Sequence, residues 1–240
     1  MMRLDKYLAL TAGLTRSQAK EALKQGRVTV DGLAARRPED KVDETSALVT
    51  LDGAALRYAA LLLYMLNKPA GVITATEDKR QSTVMDLLGD AARRDLFPVG
   101  RLDRDTEGLL LITNDGALAH RLLAPGRHVD KVYLVRPEHP VSEADALAFA
   151  QGLDIGDDKP AMPARLQMQE DGTCLVTLRE GRFHQVKRMF EAVGNQVLYL
   201  KRLSMGSLVL DPDLAPGSFR QVSEPEKAAL YADAGLPIPE

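Results

Sequence analysis

Hydrophobic residues recur at helical spacing near the start of the chain, with Leu4, Tyr7 and Leu8 across residues 3–11 and Gly13 as a helix stop. Thr15-Arg16-Ser17-Gln18 then has the capping-box pattern: a hydroxyl caps the first turn and the residue three on reaches back. Ala19, Ala22 and Leu23 supply the buried stripe of this second helix, and Gly26 ends it. Period two takes over at Val28 and Val30, a short strand stopped by the turn pair Asp31-Gly32. A second strand over residues 47–51 meets Asp52-Gly53. Two helices and a few short strands make a small module, residues 1–58. A short join at 57–60 leads into a larger unit, residues 61–240.

The larger unit interleaves strands irregularly with few helices. Strands are expected at 61–66, 109–113, 131–136, 164–168, 173–178, 197–203 and 207–210. Short helices are expected at 83–88, around Leu118, Leu122 and Leu123, from Ala144 to a stop at Gly152, over 183–192 before Gly194, and at 226–231. This order argues for an α+β fold around a mixed or antiparallel sheet flanked by helices, not a doubly wound one. Cys174 shares one face of its strand with Val176 and Leu178, which reads as a buried small hydrophobe.

Composition adds exclusions. One cysteine leaves no internal disulfide and no cysteine-rich zinc site. Residues 59–66, the most apolar stretch, are too short to cross a bilayer, and no apolar run follows the N-terminal charges, so a cytoplasmic protein is expected. The net charge of -3 argues weakly against a polyanion partner, but its distribution argues for one. Residues 1–30 carry Arg3, Lys6, Arg16, Lys20, Lys24 and Arg27 against Asp5 and Glu21. Residues 179–202 carry Arg179, Arg182, Lys187, Arg188, Lys201 and Arg202 against Glu180 and Glu191. Two basic patches on an acidic chain can hold a polyanion at selected places.

Two polar clusters could carry chemistry. Asp103 sits in the glycine-bounded loop Gly100-Arg101-Leu102-Asp103-Arg104-Asp105-Thr106-Glu107-Gly108, just before an expected buried strand, where a carboxylate can be held at the edge of the core and still face a cleft. Neither Asp105 nor Glu107 is an obvious partner for a glycosidase-like acid pair, although both could lie on one side of an extended loop. In Glu180-Gly181-Arg182-Phe183-His184-Gln185-Val186-Lys187-Arg188-Met189-Phe190, a helix starting at Phe183 would turn Phe183, Val186 and Phe190 inward and His184, Lys187 and Arg188 outward. His184 has no second histidine or cysteine nearby, so no metal site is expected. No Gly-x-Gly-x-x-Gly turn for a methyl donor is present, which disfavours an RNA methyltransferase.

Arg3-Leu4-Asp5-Lys6-Tyr7-Leu8, Thr15-Arg16-Ser17-Gln18-Ala19 and Gly26-Arg27-Val28-Thr29-Val30-Asp31-Gly32 resemble the RNA-binding domain named after ribosomal small-subunit protein four. The resemblance implies that Arg3, Lys6, Arg16, Ser17 and Lys20 touch RNA phosphates. Four further motifs are similar to those of the RsuA/RluA pseudouridine synthases: Lys68-Pro69-x-Gly71, Gly100-Arg101-Leu102-Asp103 with its following strand, Lys131-x-Tyr133-x-Val135, and the cluster from Glu180 to Phe190. They imply Asp103 as the catalytic aspartate, Tyr133 against an everted uracil, and Lys187 paired with Asp103 where many relatives have arginine. They also place Lys68, Arg101, Arg182, His184, Gln185 and Arg188 toward RNA. No cofactor and no metal are implied.

Phe183-His184-Gln185-Val186-Lys187, Lys159-Pro160-Ala161 and Leu210-Asp211-x-Asp213-Leu214-x-Pro216-Gly217 resemble most the branch acting on uridine 516 of 16S rRNA. Lys201-Arg202-Leu203-Ser204-Met205-Gly206-Ser207 departs from that branch, which has Arg-x-x-Ile-Gly-Gly there. The resemblance implies 16S rRNA or a small-subunit assembly intermediate as partner; a monomer is expected. A large-subunit site is the alternative target, and a noncatalytic ribosome-assembly protein the alternative class.

Overall fold

A computed structural model describes residues 1–239 except 45, 57, 59, 60, 93, 94 and 128, so most of the expected join at 57–60 lies outside the described residues. The chain divides into two compact units, residues 1–62 with 89–96, and residues 63–88 with 97–240.

In the first unit, α1 (Leu4–Thr11) and α2 (Arg16–Lys24) pack over a small sheet. The capping box at α2 forms: the Thr15 hydroxyl accepts from the Gln18 N–H, and the Gln18 side chain accepts from the Thr15 N–H. Strands β1 (Val28–Val30), β2 (Leu33–Ala34), β3 (Val49–Leu51) and β4 (Ala54–Leu56) run in the order β2-β1-β3-β4, every neighbour antiparallel. Asp31-Gly32 and Asp52-Gly53 both have φ above zero at each residue, as a two-residue hairpin demands when its twist must match right-twisted strands. Leu4, Tyr7, Leu8, Ala19, Ala22, Leu23, Val28 and Val49 form the core. Lys6 of α1 and Arg16, Ser17, Gln18, Lys20, Glu21 and Lys24 of α2 stay at the surface, whereas Asp5 is buried and accepts from Arg3.

The second unit is built on one mixed sheet. Its main strands are β5 (Leu63–Lys68), β6 (Glu107–Thr113), β7 (Lys131–Pro137), β8 (Arg165–Met168), β9 (Cys174–Leu178), β10 (Val197–Met205) and β11 (Phe219–Gln221). Their order is β8-β9-β7-β10-β6-β5-β11, and the β6–β10 pairing is parallel while the others are antiparallel. Helices α3 (Gly116–Leu123), α4 (Glu143–Gln151), α5 (Gln185–Ala192) and α6 (Glu224–Ala234) accompany it. Phe149 of α4 and Phe190 of α5 meet edge to face at 5.3 Å and are fully buried, as is Cys174.

Three expectations are corrected. No helix spans 83–88: Thr83 forms a bridge with Ile73, and a 3₁₀ turn starts only at Asp86, whose carboxylate accepts the Thr83 N–H. Helix α5 starts at Gln185, because His184 is left-handed at φ 49° and breaks the periodicity. Phe183 therefore does not turn inward with Val186 and Phe190 but is 70% exposed. Strand β11, a segment in which no strand is expected from the sequence, adds to the β5 edge. Among the described residues no helix is long and apolar enough to cross a membrane.

Candidate active site

The loop before β6 is fixed from beneath by a buried lysine. Lys68, at the end of β5, is fully buried and its ammonium donates to the carbonyls of Pro69 (3.0 Å), Arg104 (3.3 Å) and Thr106 (2.8 Å). Burial pushes its pKa down to about 8, against the pull of the Asp105, Asp103 and Glu107 charges. The Thr74 hydroxyl donates to the Leu102 carbonyl and accepts the Leu102 N–H, and the Gly71 N–H reaches the Arg104 carbonyl. The backbone on both sides of Asp103 is thereby held by β5 and the segment after it. Gly108 then enters β6 at φ 99°, with its missing Cβ aimed at the Arg202 backbone, 2.3 Å from the carbonyl oxygen, so only glycine lets β6 and β10 meet here.

The Asp103 carboxylate faces a cleft of about 670 Å³ also lined by Arg101, Thr106, Lys131, Tyr133, Phe183 and His184. The Lys187 ammonium, on the first turn of α5, sits 3.2 Å from Asp103 Oδ2 and 2.7 Å from Asp105 Oδ1. Burial acts against the charge on Lys187, but hydrogen bonding to Asp105 and the nearby Asp103 charge outweigh it and raise its pKa. Burial likewise acts against the Asp105 carboxylate, and Lys187 outweighs it, leaving that carboxyl below its usual range. His184 Nε2 lies 3.6 Å from Asp103 Oδ1. One cation thus serves two carboxylates. Glu107 is elsewhere occupied, accepting from the Tyr199 hydroxyl at 2.8 Å.

Tyr133 is buried in β7, two residues from Lys131 and on the same face. Lys131 is 3% exposed, hydrogen-bonds the Val129 carbonyl, and is pushed down to about 8 by burial and by the neighbouring Arg202 charge. The Thr106 hydroxyl, also on the cleft, is buried with no hydrogen-bond partner among the described residues.

Asp103, Tyr133 and Lys187 therefore converge. Arg101 is exposed at the cleft, and Arg3, Lys6, Arg16, Ser17 and Lys20 are exposed on the first unit. Lys68 is fully buried and turned to carbonyls, not to RNA, while Gln185 lines the cleft but is nearly buried, accepting the Arg182 N–H and donating to Glu180. Arg182 and Arg188 are also spent internally. Arg182 donates to Glu180, Asp157 and the carbonyls of Lys159 and Pro160. Arg188 donates to Asp157 and to the carbonyls of Ile155 and Phe183. Together they clasp segment 155–160 to the start of α5. The sequence reading missed Asp105 as the second carboxylate on Lys187, although its two-residue spacing from Asp103 was the available signal. Among the described residues no group of three His, Cys, Asp or Glu side chains is placed to hold a metal.

The family described as RNA pseudouridylate synthase matches residues 62–192, and the S4 domain matches residues 2–48. An uncharacterized RNA pseudouridine synthase of Bacillus subtilis is 46% identical, over 94% of this chain and 96% of its own. The ribosomal small subunit pseudouridine synthase A of Escherichia coli K12 is 41% identical over 95% and 100%, and that of Yersinia pestis is 41% identical over 96% and 99%. A solved crystal structure of a pseudouridylate synthase superposes with a TM-score of 0.68 at 36% identity, covering 96% of this chain and all of the other.

Proposed function

We propose, for a chain that belongs to the RNA pseudouridylate synthase family, that it converts uridine 516 of 16S rRNA to pseudouridine in the cytoplasm, as a monomer, with Asp103 as the catalytic carboxylate. The observation that carries this reading is the Asp103–Lys187 ion pair at the mouth of a cleft that also contains Tyr133. The small-subunit relatives, matched over nearly their whole length, support the choice of RNA.

The reaction breaks the bond from N1 of uracil to the ribose C1′, turns the base, and joins C5 to C1′. N1 gains a proton and C5 loses one, so no redox partner or net hydrolysis enters. Asp103 either attacks C1′ or takes the C2′ proton on the way to a glycal. Both routes use Asp103 as a carboxylate, and the Lys187 ammonium lies 3.2 Å from it. Tyr133 offers its ring as the surface against which the detached base turns without escaping. Everting the uridine costs a few kcal/mol of lost stacking. Phosphate contacts from Arg101 and from Arg3, Lys6, Arg16, Ser17 and Lys20 help offset it, fixing position and not reading sequence.

Mapping pseudouridines in rRNA from cells with and without this protein tests the target. The reading expects one 16S site to revert to uridine. Loss of a 23S site instead would overturn the subunit assignment, and unchanged rRNA would overturn the substrate.

A further inference from the structure

Phe183 has no place in the core, and nothing so far gives it a task. Its ring is 70% exposed on the wall of the cleft, in a chain whose large aromatic side chains are few and mostly covered. It is not a loose surface residue. Its ring stacks on the His184 imidazole, with centroids 3.7 Å apart and planes 20° from parallel. His184 in turn reaches Asp103 at 3.6 Å. The backbone under the pair is fixed: the Phe183 carbonyl accepts from Arg188, which Asp157 holds, and His184 is kept in the left-handed region. A left-handed non-glycine residue next to a reactive carboxylate is backbone strain of the kind retained when it positions something.

One face of the Phe183 ring is covered by His184, and exposure this high leaves the other open. It stands one residue from the side chain that touches Asp103, too exposed to floor the pocket, which Tyr133 does from a buried strand. RNA-binding sites use such open aromatic faces to stack bases that have lost a neighbour. An everted uridine leaves a base of that kind beside it.

We propose that Phe183, backed by His184, is the platform on which the base adjacent to the everted uridine stacks while that uridine occupies the cleft. This rests on the reading that the cleft takes an everted uridine, and it adds a second nucleotide contact to that site. Phe183 is then a substrate-positioning residue that contributes to RNA capture more than to the chemical step.

The test uses the full chain and an rRNA fragment carrying whichever uridine the wild-type protein converts, small or large subunit, so that it stands apart from the subunit assignment. Phe183→Leu keeps an apolar side chain without a ring; Phe183→Tyr keeps the ring. The expectation is a rise in KM of roughly 5- to 100-fold for Phe183→Leu, with kcat changing much less, and near wild-type behaviour for Phe183→Tyr. RNA made abasic at one of the two positions flanking the uridine should weaken wild type by a similar factor and Phe183→Leu hardly at all. Equal KM for Leu and Phe at position 183 would overturn the proposal. So would losses from the abasic RNA and from the variant that multiply independently at both flanks. The high exposure of the side chain keeps both variants folded, which a thermal melt verifies.

Discussion

Replacing Lys68 by methionine separates two roles that its sequence position leaves open. As an RNA contact it would contribute to affinity; as the buried tie beneath residues 103–106 it would contribute to rate. Its ammonium is fully buried and donates to three carbonyls. Charge-assisted bonds of this kind are worth about 1.5–3 kcal/mol each, so about 4–9 kcal/mol together. Against that stands the burial of the charge. A pKa lowered from 10.5 to about 8 corresponds to about 3 kcal/mol. Methionine removes both contributions, for a net stability loss of about 1–6 kcal/mol, read by urea unfolding. The loop then loses its anchor, and a displacement of about 1 Å at a catalytic group costs about a hundredfold in rate. Single-turnover conversion of an rRNA fragment should therefore fall by about that factor, while RNA affinity and its salt dependence stay as in wild type. A salt slope reduced by about one, the mark of a lost phosphate contact, with an unchanged rate would refute the buried-tie argument.

The same lysine gives a pH signature. Lys68 and Lys131 release their protons near pH 8 in the folded protein but near 10.5 when unfolded. The unfolded chain then binds more protons across that window, so each lysine makes stability rise with pH by up to about 1.4 kcal/mol per unit. The stability difference between wild type and Lys68→Met should grow by up to about 3 kcal/mol from pH 8 to 10.5; a constant difference would contradict the burial of the charge. Gly108→Ala should destabilise by about 2–6 kcal/mol in thermal unfolding, combining a positive φ with a Cβ 2.3 Å from the Arg202 carbonyl oxygen, and a loss below about 1 kcal/mol would mean the β6–β10 joint yields freely. Arg188→Met should lower the melting temperature without altering the salt dependence of RNA binding, because its guanidinium is occupied by Asp157 and two carbonyls; the reverse pattern would restore it as a phosphate contact.

Local signals carried much of the fold. The Thr15–Gln18 box, the two Asp-Gly hairpins and the alternation through Cys174, Val176 and Leu178 are fixed by neighbours a few residues apart, so each was legible. Motif resemblance singles out Asp103, Tyr133 and Lys187; in the structure Asp103 and Tyr133 line one cleft and Lys187 pairs with Asp103. What stayed hidden depends on distant partners. A buried Lys68 reads like a surface lysine until the carbonyls 36 and 38 residues on are seen beneath it. Arg182 and Arg188 look free for RNA until Asp157, 25 and 31 residues earlier, closes on them. Phe183 fits the apolar stripe of α5, but a left-handed His184 sits between it and the helix and turns it out. Periodicity has no means of registering that single backbone reversal.

The carboxylate of Asp103 is the group on which the proposed chemistry depends. Asparagine there preserves size and much of the hydrogen bonding but removes the charge that Lys187 holds. Pseudouridine formed in an rRNA transcript by Asp103→Asn, measured beside its RNA affinity, is the most direct measurement. The expected result is no product above background with binding close to wild type. Product formed at a rate near that of wild type would contradict the assignment.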